Sequence, residues 1–136
     1  MRINNAVAIT QVQAITAAVD AGAGVGVITI LTGSAPLECE LADTGTLLAT
    51  LPMTKPSYAA GVDVNPGARI TAATITSAVA AATGTAGYYR EKTSTGVCVT
   101  QGSCGTSGAD MNFDSVSIQI GAQVSITAKT ITQPET

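Results

Sequence analysis

Histidine and tryptophan are absent from the 136 residues, and charged and aromatic side chains are scarce, at 11% and 3% of the chain. Without histidine, catalysis that depends on imidazole and any metal site with a histidine ligand are excluded. The six lysine and arginine residues are scattered singly, so they form no basic stripe of the kind that displaces phosphate counterions in nucleic-acid binders. Disorder is excluded as well, because 46% of the chain is hydrophobic and few residues are charged.

Long hydrophobic runs are also missing. Thr, Gln, Ser or Gly interrupts each apolar stretch before the roughly 20 residues that a membrane span needs. Residues 1–5 lack a charged segment followed by an apolar core, so we expect no signal peptide and synthesis in a cytosol. The three cysteines, an odd number, favour reduced thiols over a disulfide framework.

The low charge content has two interpretations. A soluble monomer usually carries roughly a quarter to a third of its surface as charged residues, more than twice the share found here. Either uncharged polar residues supply the solvated surface, or other subunits cover much of it. We favour the second interpretation, because subunit interfaces are depleted in charge.

The hydrophobic pattern predicts a single domain over residues 1–136, with an N-terminal helix at about 5–20 and a β-sandwich at about 25–133. The helix is predicted because apolar residues recur at spacings of three and four along one side, at Ala8, Val12, Ile15 and Val19. Asn4 or Asn5 is expected to cap its start, and the glycines from Gly22 onward its end.

Short strand-like segments, separated by turn signals, occupy the rest of the chain. They lie at 27–31, 47–51, 69–80, 84–92, 97–101, 116–120 and 124–128. The first is apolar on both faces, as in a strand that is covered on both sides. The last two alternate most clearly, and their phase shift near Lys129 predicts a bulge. The fold class is therefore predicted as mainly β, a β-sandwich or jelly-roll-like domain with one N-terminal α-helix.

Two motifs imitate ligand sites. The glycines at 22–26 follow a helix and precede a strand, the reverse of the order that a dinucleotide fingerprint requires, so they predict a connector. Residues 110–114 resemble the opening of a calcium loop but lack its later glycine and glutamate. We predict a surface turn there, with an incidental cation at Asp110 and Asp114 as the alternative.

The cysteines and the densest acidic cluster also have structural interpretations. Cys98 and Cys104 are predicted to act as small apolar residues, with a disulfide between them, formed after release from the cell, as the alternative. Glu38, Glu40 and Asp43 lie on a loop and are predicted to be solvated rather than catalytic, because paired carboxylates need burial to separate their pKa values.

Four aromatic rings, those of Tyr58, Tyr88, Tyr89 and Phe113, are too few to build a convincing ligand cleft. Of the adjacent pair Tyr88 and Tyr89, one ring is predicted to lie in the core and one at an interface. We therefore predict no catalytic, cofactor-binding or metal-binding residues, no cofactor, and no enzymatic activity.

Taken together, five segments that cover nearly the whole chain in order resemble a family of small virion structural proteins of tailed bacteriophages, the capsid cement or decoration proteins. The segments are 20–36 (DAGAGVGVITILTGSAP), 45–51 (GTLLATL), 83–90 (TGTAGYYR), 105–114 (GTSGADMNFD) and 121–127 (GAQVSIT). The chain departs from the family pattern at Tyr88, where tryptophan is frequent, and at Cys104, where a small apolar residue is usual. The latter departure favours a buried thiol.

The resemblance implies a non-enzymatic β-sandwich or jelly-roll subunit that binds the major capsid protein on the outer surface of the phage head and stabilises the mature head. It would be made in the host cytoplasm and act in the virion. We expect a homo-oligomer, a dimer or a trimer, with no nucleic-acid or membrane partner, and we place its core at the helix 5–20 and the strand 27–31. The alternative is a minor tail or neck protein, or a structural protein that binds a host receptor.

Overall fold

The N-terminal helix forms where the apolar spacing predicts it. The computed structural model describes residues 1–136, and helix α1 spans Asn5–Val19. The Asn4 side chain caps it by accepting a hydrogen bond from the Ala6 N–H at 2.8 Å. Three of the four aligned apolar residues, Ala8, Val12 and Val19, are buried, and the fourth packs at the edge of the core.

Eleven strands follow the helix. They are β1 (Val27–Thr32), β2 (Leu47–Pro52), β3 (Val62–Asp63), β4 (Gly67–Thr71), β5 (Ala78–Val79), β6 (Gly84–Lys92), β7 (Cys98–Gly105), β8 (Met111–Asn112), β9 (Ser117–Ile118), β10 (Gln123–Val124) and β11 (Thr130–Pro134). The prediction of a mainly β chain with one N-terminal helix is confirmed. No helix has the length and hydrophobicity that a membrane span requires.

The strands form one large and two small sheets. The large sheet has the order β2-β1-β6-β7-β8, and β9 pairs with the start of β6. A three-stranded sheet has the order β11-β4-β3, and β5 pairs with β10 in a two-stranded ribbon. All of these pairs are antiparallel except β7 with β8.

The large sheet has two differently covered faces. Because side chains alternate along a strand, the register that pairs Ile30 with Tyr89 puts these two on one face, which we call the inner face. The same register puts Leu31 with Tyr88, and Thr29 with Arg90, on the opposite face, which we call the outer face.

The inner face packs against the helix and the three-stranded sheet. A cluster of 20 buried apolar residues joins Ile28 and Ile30 to Val12 of α1 and Ile70 of β4. Helix α1 lies against β4 and β11. Leu31 and Tyr88 are just as buried but do not belong to this cluster, because they point to the outer face.

The outer face is covered by the chain itself. Residues 33–46, between β1 and β2, cross it without regular secondary structure, and we call them the 33–46 loop. At its start the loop backbone comes so close to β6 that a Cβ atom on Gly87 would lie 1.8 Å from the Gly33 carbonyl oxygen, so only glycine fits at position 87.

The strand prediction at 27–31 is confirmed, and β1 is buried on both faces. Both covers belong to the same chain, however, so β1 has no free face for an oligomer contact. The buried side of α1 is likewise occupied within the chain. The placement of the oligomer core at these two elements was therefore wrong for β1 and for the buried side of the helix.

The hairpin predicted from 84–92 and 97–101 is confirmed as β6 and β7, which pair antiparallel around the turn at 93–96. The strand predicted at 47–51 is also confirmed as β2. The weakly alternating segment 69–80 contains only β4 at its start and β5 near its end.

The C-terminal prediction was wrong in extent. The two clearest alternating segments contain only the two-residue strands β9 and β10, which pair with β6 and β5 rather than with each other. Burial still alternates at Val124 and Ile126 and changes phase at Lys129, where an irregular segment leads into β11 instead of a bulge. Alternation reports which side chains are buried, and backbone pairing depends on what lies beside the segment.

Candidate functional site

The 33–46 loop is held on the outer face by a buried arginine. Arg90 is 2% exposed, and its guanidinium group donates to Leu41 O at 2.7 Å, Glu38 O at 3.2 Å and Asp43 Oδ1 at 2.9 Å. Its Nε also donates to Gln101 Oε1 at 3.1 Å. A buried charge is tolerated when it is paired and hydrogen-bonded, and here the loop backbone supplies much of that solvation.

Two neighbouring side chains extend this anchor. The Tyr88 hydroxyl donates to Thr44 O at 2.7 Å and accepts from Thr44 N–H at 3.0 Å. Gln101 Nε2 donates to Pro36 O at 2.8 Å. The loop is therefore fixed near both ends and in its middle by side chains of β6 and β7.

Asp43 bridges two cations of β6. It lies 2.9 Å from Arg90 and 2.6 Å from Lys92. Burial alone would raise the pKa of the Asp43 carboxyl, but the hydrogen bonds and charges of Lys92 and Arg90 outweigh it and hold that pKa below its usual value. The prediction that the three acids of this loop are solvated is confirmed, since Glu38, Glu40 and Asp43 are all exposed, and Asp43 in addition forms ion pairs.

A disulfide between Cys39 and Cys98 links the 33–46 loop to the start of β7, with 5.6 Å between the Cα atoms. Both sequence-based interpretations of the cysteines were wrong on this point: Cys98 is oxidised, and its partner is the remote Cys39. The spacing in sequence could not reveal the pair, because only the path of the loop across the sheet brings the two together.

Cys104 is the free thiol. It is partly buried and packs against the core. Burial, together with the neighbouring Asp110, raises the pKa of the Cys104 thiol to about 12, so it remains protonated and unreactive at neutral pH.

The loop presents apolar side chains to solvent. Leu37 is 92% exposed and Leu41 is 50% exposed, and Glu38 and Glu40 are exposed between them. We call these four residues the loop surface. Exposed leucines on a mobile loop need no explanation, but here the backbone that carries them is fixed by a disulfide and by Arg90. The arrangement is suited to contact with another macromolecule.

The inner face contains a second polar cluster. The Glu91 carboxylate is fully buried, and Tyr58 and Lys129 are 2% and 8% exposed. Lys129 Nζ lies 2.6 Å from the Tyr58 hydroxyl and 3.3 Å from Glu91 Oε2, and the same hydroxyl donates to Oε2. Thr100 Oγ1 donates to Glu91 Oε1 at 3.2 Å. We call these four residues the buried polar cluster.

The surroundings of this cluster disfavour charge. Burial lowers the pKa of the Lys129 ammonium, although Glu91 partly opposes the shift. Burial, and then the charge of Glu91, raise the pKa of Tyr58 far above its usual value. The lysine also lies over two aromatic rings, with Nζ 5.2 Å from the centroid of Tyr58 and 5.7 Å from that of Tyr89.

Residues 110–114 contain the short strand β8, in which Met111 is buried, so the prediction of a surface turn is wrong for the middle of this segment. Asp110 Oδ2 accepts from the Ser103 backbone N–H at 2.8 Å and from its hydroxyl at 3.0 Å, which lowers the pKa of the Asp110 carboxyl. A cavity of about 650 Å³ lies beside residues 110–114, and its lining includes Asp110, Phe113, Asp114 and Lys129.

Sequence reasoning placed the acidic loop correctly but missed the residues that hold it. Arg90, Glu91 and Lys129 are three of the chain's fifteen charged residues, and all three are buried. Arg90 and Glu91 directly follow the two tyrosines in a strand. Their burial could have been predicted only with the knowledge that other parts of the chain cover both faces of the sheet. Both tyrosine rings are buried within the chain, so the prediction that one of them lies at an interface with another molecule is wrong.

No protein-family model, curated protein or solved structure matches the chain.

Proposed function

We propose that the chain is a non-enzymatic structural protein of a tailed-bacteriophage virion, a capsid cement or decoration protein that binds the major capsid protein and stabilises the mature head. The observation that carries this proposal is the loop surface, in which Leu37 and Leu41 are exposed on a backbone fixed by Cys39–Cys98 and by Arg90. A preorganised apolar surface loses little conformational entropy when it binds, so more of the contact energy appears as affinity.

The distribution of charge supports a binding role. Three of the six cations, Arg90, Lys92 and Lys129, form ion pairs within the subunit, which leaves little free positive charge. Ten large apolar side chains are exposed, including Val62, Val79 and Ile120 at some distance in sequence from the loop. Apolar surface of this kind in a charge-poor chain favours contacts with neighbours, including further copies in a dimer or trimer.

The fold is suited to a structural role in a virus particle. We propose that the large sheet and the three-stranded sheet, with one shared core, form a β-sandwich of the jelly-roll type. The disulfide adds a covalent link, and disulfides persist in oxidising surroundings, which fits a protein made in the host cytoplasm that acts on the outer surface of a released head.

The stabilisation would follow from mass action. A protein that binds the assembled shell and not its separated subunits stabilises the shell by about 2.7 kcal/mol at each site when its free concentration is a hundred times Kd. Because a head offers many equivalent sites, modest individual contacts suffice, and an oligomer that spans two capsid subunits gains further through its effective concentration.

The test uses heads that lack this protein. Adding the purified native chain is expected to raise the temperature at which the heads are disrupted, and the double variant Leu37→Asp/Leu41→Asp is expected to bind at least tenfold more weakly. The double variant Thr106→Asp/Ser107→Asp adds the same two charges at exposed polar residues between β7 and β8; it is the matched control and should bind like the native chain.

Failure of the native chain to bind heads would contradict the proposal. Counting copies per virion by quantitative mass spectrometry separates it from the alternative. Hundreds of copies support a place on the head, whereas a dozen or fewer would indicate a minor tail, neck or host-receptor-binding protein.

A further inference from the structure

The buried polar cluster contains the groups that an amide-forming reaction needs, in contact with one another. Lys129 supplies an amine, and Glu91 supplies a carboxyl group whose Oε2 lies 3.3 Å from Nζ. Each oxygen of that carboxyl group also has a hydroxyl donor, Tyr58 on Oε2 and Thr100 on Oε1.

The protonation states that react are accessible here. Tyr58 accepts from Lys129 Nζ and donates to Glu91 Oε2, so it forms a continuous path for a proton from the amine to the carboxylate. Burial disfavours the charged form of Lys129 and lowers its pKa. Transfer of one proton along the path gives a neutral amine beside a neutral carboxylic acid.

We propose that Glu91 and Lys129 condense to form an intramolecular amide bond between their side chains, with release of one water molecule. The Nζ lone pair attacks Cδ of Glu91, and the electron pair of the C=O bond moves to Oε1, where Thr100 Oγ1 donates a hydrogen bond. The C–Oε2 bond then breaks. Oε2 leaves as water with the proton it first received and a second proton that passes from Nζ through Tyr58.

The reaction balances without an added reagent. One carboxylate and one ammonium group become one amide and one water, and nothing is oxidised or reduced. Two features of the site favour it over the reverse hydrolysis. The reacting groups are held together, which corresponds to a high effective molarity, and the Glu91 side chain is fully buried from bulk water. The cavity that borders Lys129 gives the released water a way out.

The product would join the two sheets covalently. Glu91 lies in β6 of the large sheet, and Lys129 immediately precedes β11 of the three-stranded sheet. Such a bond would link the large sheet to its cover on the inner face, as the disulfide Cys39–Cys98 links the sheet to the 33–46 loop on the outer face. This inference does not depend on the proposed function, since it concerns only groups within one subunit.

Intact mass under denaturing conditions tests the proposal on the native chain. With the disulfide reduced, we expect a mass one water lower than the sequence mass after prolonged incubation of the folded protein. Digestion and tandem mass spectrometry should then find a branched peptide that joins Glu91 to Lys129. The full sequence mass, or a water loss located at other residues, would overturn the proposal.

Variants sharpen the result. Lys129→Arg keeps the positive charge but should retain the full mass, whereas the matched control Lys92→Arg, at an ion-paired lysine on the outer face, should show the same water loss as the native chain. Glu91→Gln is expected to react with loss of ammonia instead of water. Tyr58→Phe should slow bond formation at least tenfold. Equal rates in folded Tyr58→Phe and native protein would overturn the role given to Tyr58 as the proton path.

Discussion

The two faces of the large sheet are buried by different means. The inner face is covered by a helix and a second sheet, and its packing is apolar apart from one polar cluster. The outer face is covered by an irregular loop, which is held by a buried arginine, a tyrosine hydroxyl and a disulfide. A regular element satisfies its own backbone hydrogen bonds and can pack through apolar contacts, whereas a loop leaves carbonyl groups that need donors. Arg90 supplies such donors.

The comparison also separates two roles. The inner face carries the shared core, and so we expect it to determine most of the global stability. The outer face positions the exposed leucines of the loop surface, so changes there should affect both stability and binding.

Removal of the disulfide should have the largest effect. For the 59-residue separation between Cys39 and Cys98, loss of the cross-link is expected to lower the free energy of unfolding by about 4 kcal/mol in the chain-entropy treatment. Urea unfolding of Cys39→Ser/Cys98→Ser measures this, with Cys104→Ser as the control. An unfolding free energy equal to that of the Cys104→Ser control would contradict the prediction.

Replacement of Arg90, which anchors the loop, is expected to lower the free energy of unfolding by somewhat less. Arg90→Met keeps much of the apolar stem but leaves Leu41 O and Glu38 O without their donors, and should lower the free energy of unfolding by about 3 kcal/mol. Arg69→Met, at an exposed arginine in β4, should change it by less than about 0.5 kcal/mol. Equal effects of the two substitutions in urea unfolding would show that Arg90 does not anchor the loop.

A small truncation on the inner face should have a moderate effect. Ile30→Val removes one buried methylene group from the core and is expected to cost about 1 kcal/mol. Since the Ile30 side chain lies on the inner face and not on the side of the sheet that the 33–46 loop covers, the affinity of the folded variant for heads should be unchanged. Loss of binding in the folded Ile30→Val variant would contradict the assignment of binding to the outer face.

Acid should slightly destabilise the packing of the 33–46 loop on the outer face. The pKa of Asp43 is lower in the folded chain than its ordinary value of 3.8, so its ion pairs contribute stability above pH 3.8 that is lost as the pH falls through the folded-state pKa. Because Asp43 is partly exposed, we expect a contribution of no more than about 1 kcal/mol. Asp43→Asn should flatten this part of the pH–stability profile between pH 5 and 2, by about that amount. An unchanged profile would show that the pairs are ineffective in solution.

Much of the secondary structure was predictable because its cause is local. Helix α1 follows from the spacing of Ala8, Val12 and Val19, and β1 from a run of β-branched and aliphatic residues without polar alternation. The hairpin of β6 and β7 follows from two strand-like runs around a turn that ends in Gly96, where φ is 90°. Each of these signals lies within a few residues of the structure that it specifies.

Local patterns along the chain predict the abundance of strands, the single N-terminal helix and the burial of β1 on both sides. The bond between Cys39 and Cys98, the role of Arg90 in holding the loop and the contact of Glu91 with Lys129 in the core become visible only in the folded chain. Propensity and periodicity act between neighbours along the chain, whereas disulfides and buried ion pairs join residues whose proximity depends on which strands lie side by side and where a loop crosses them.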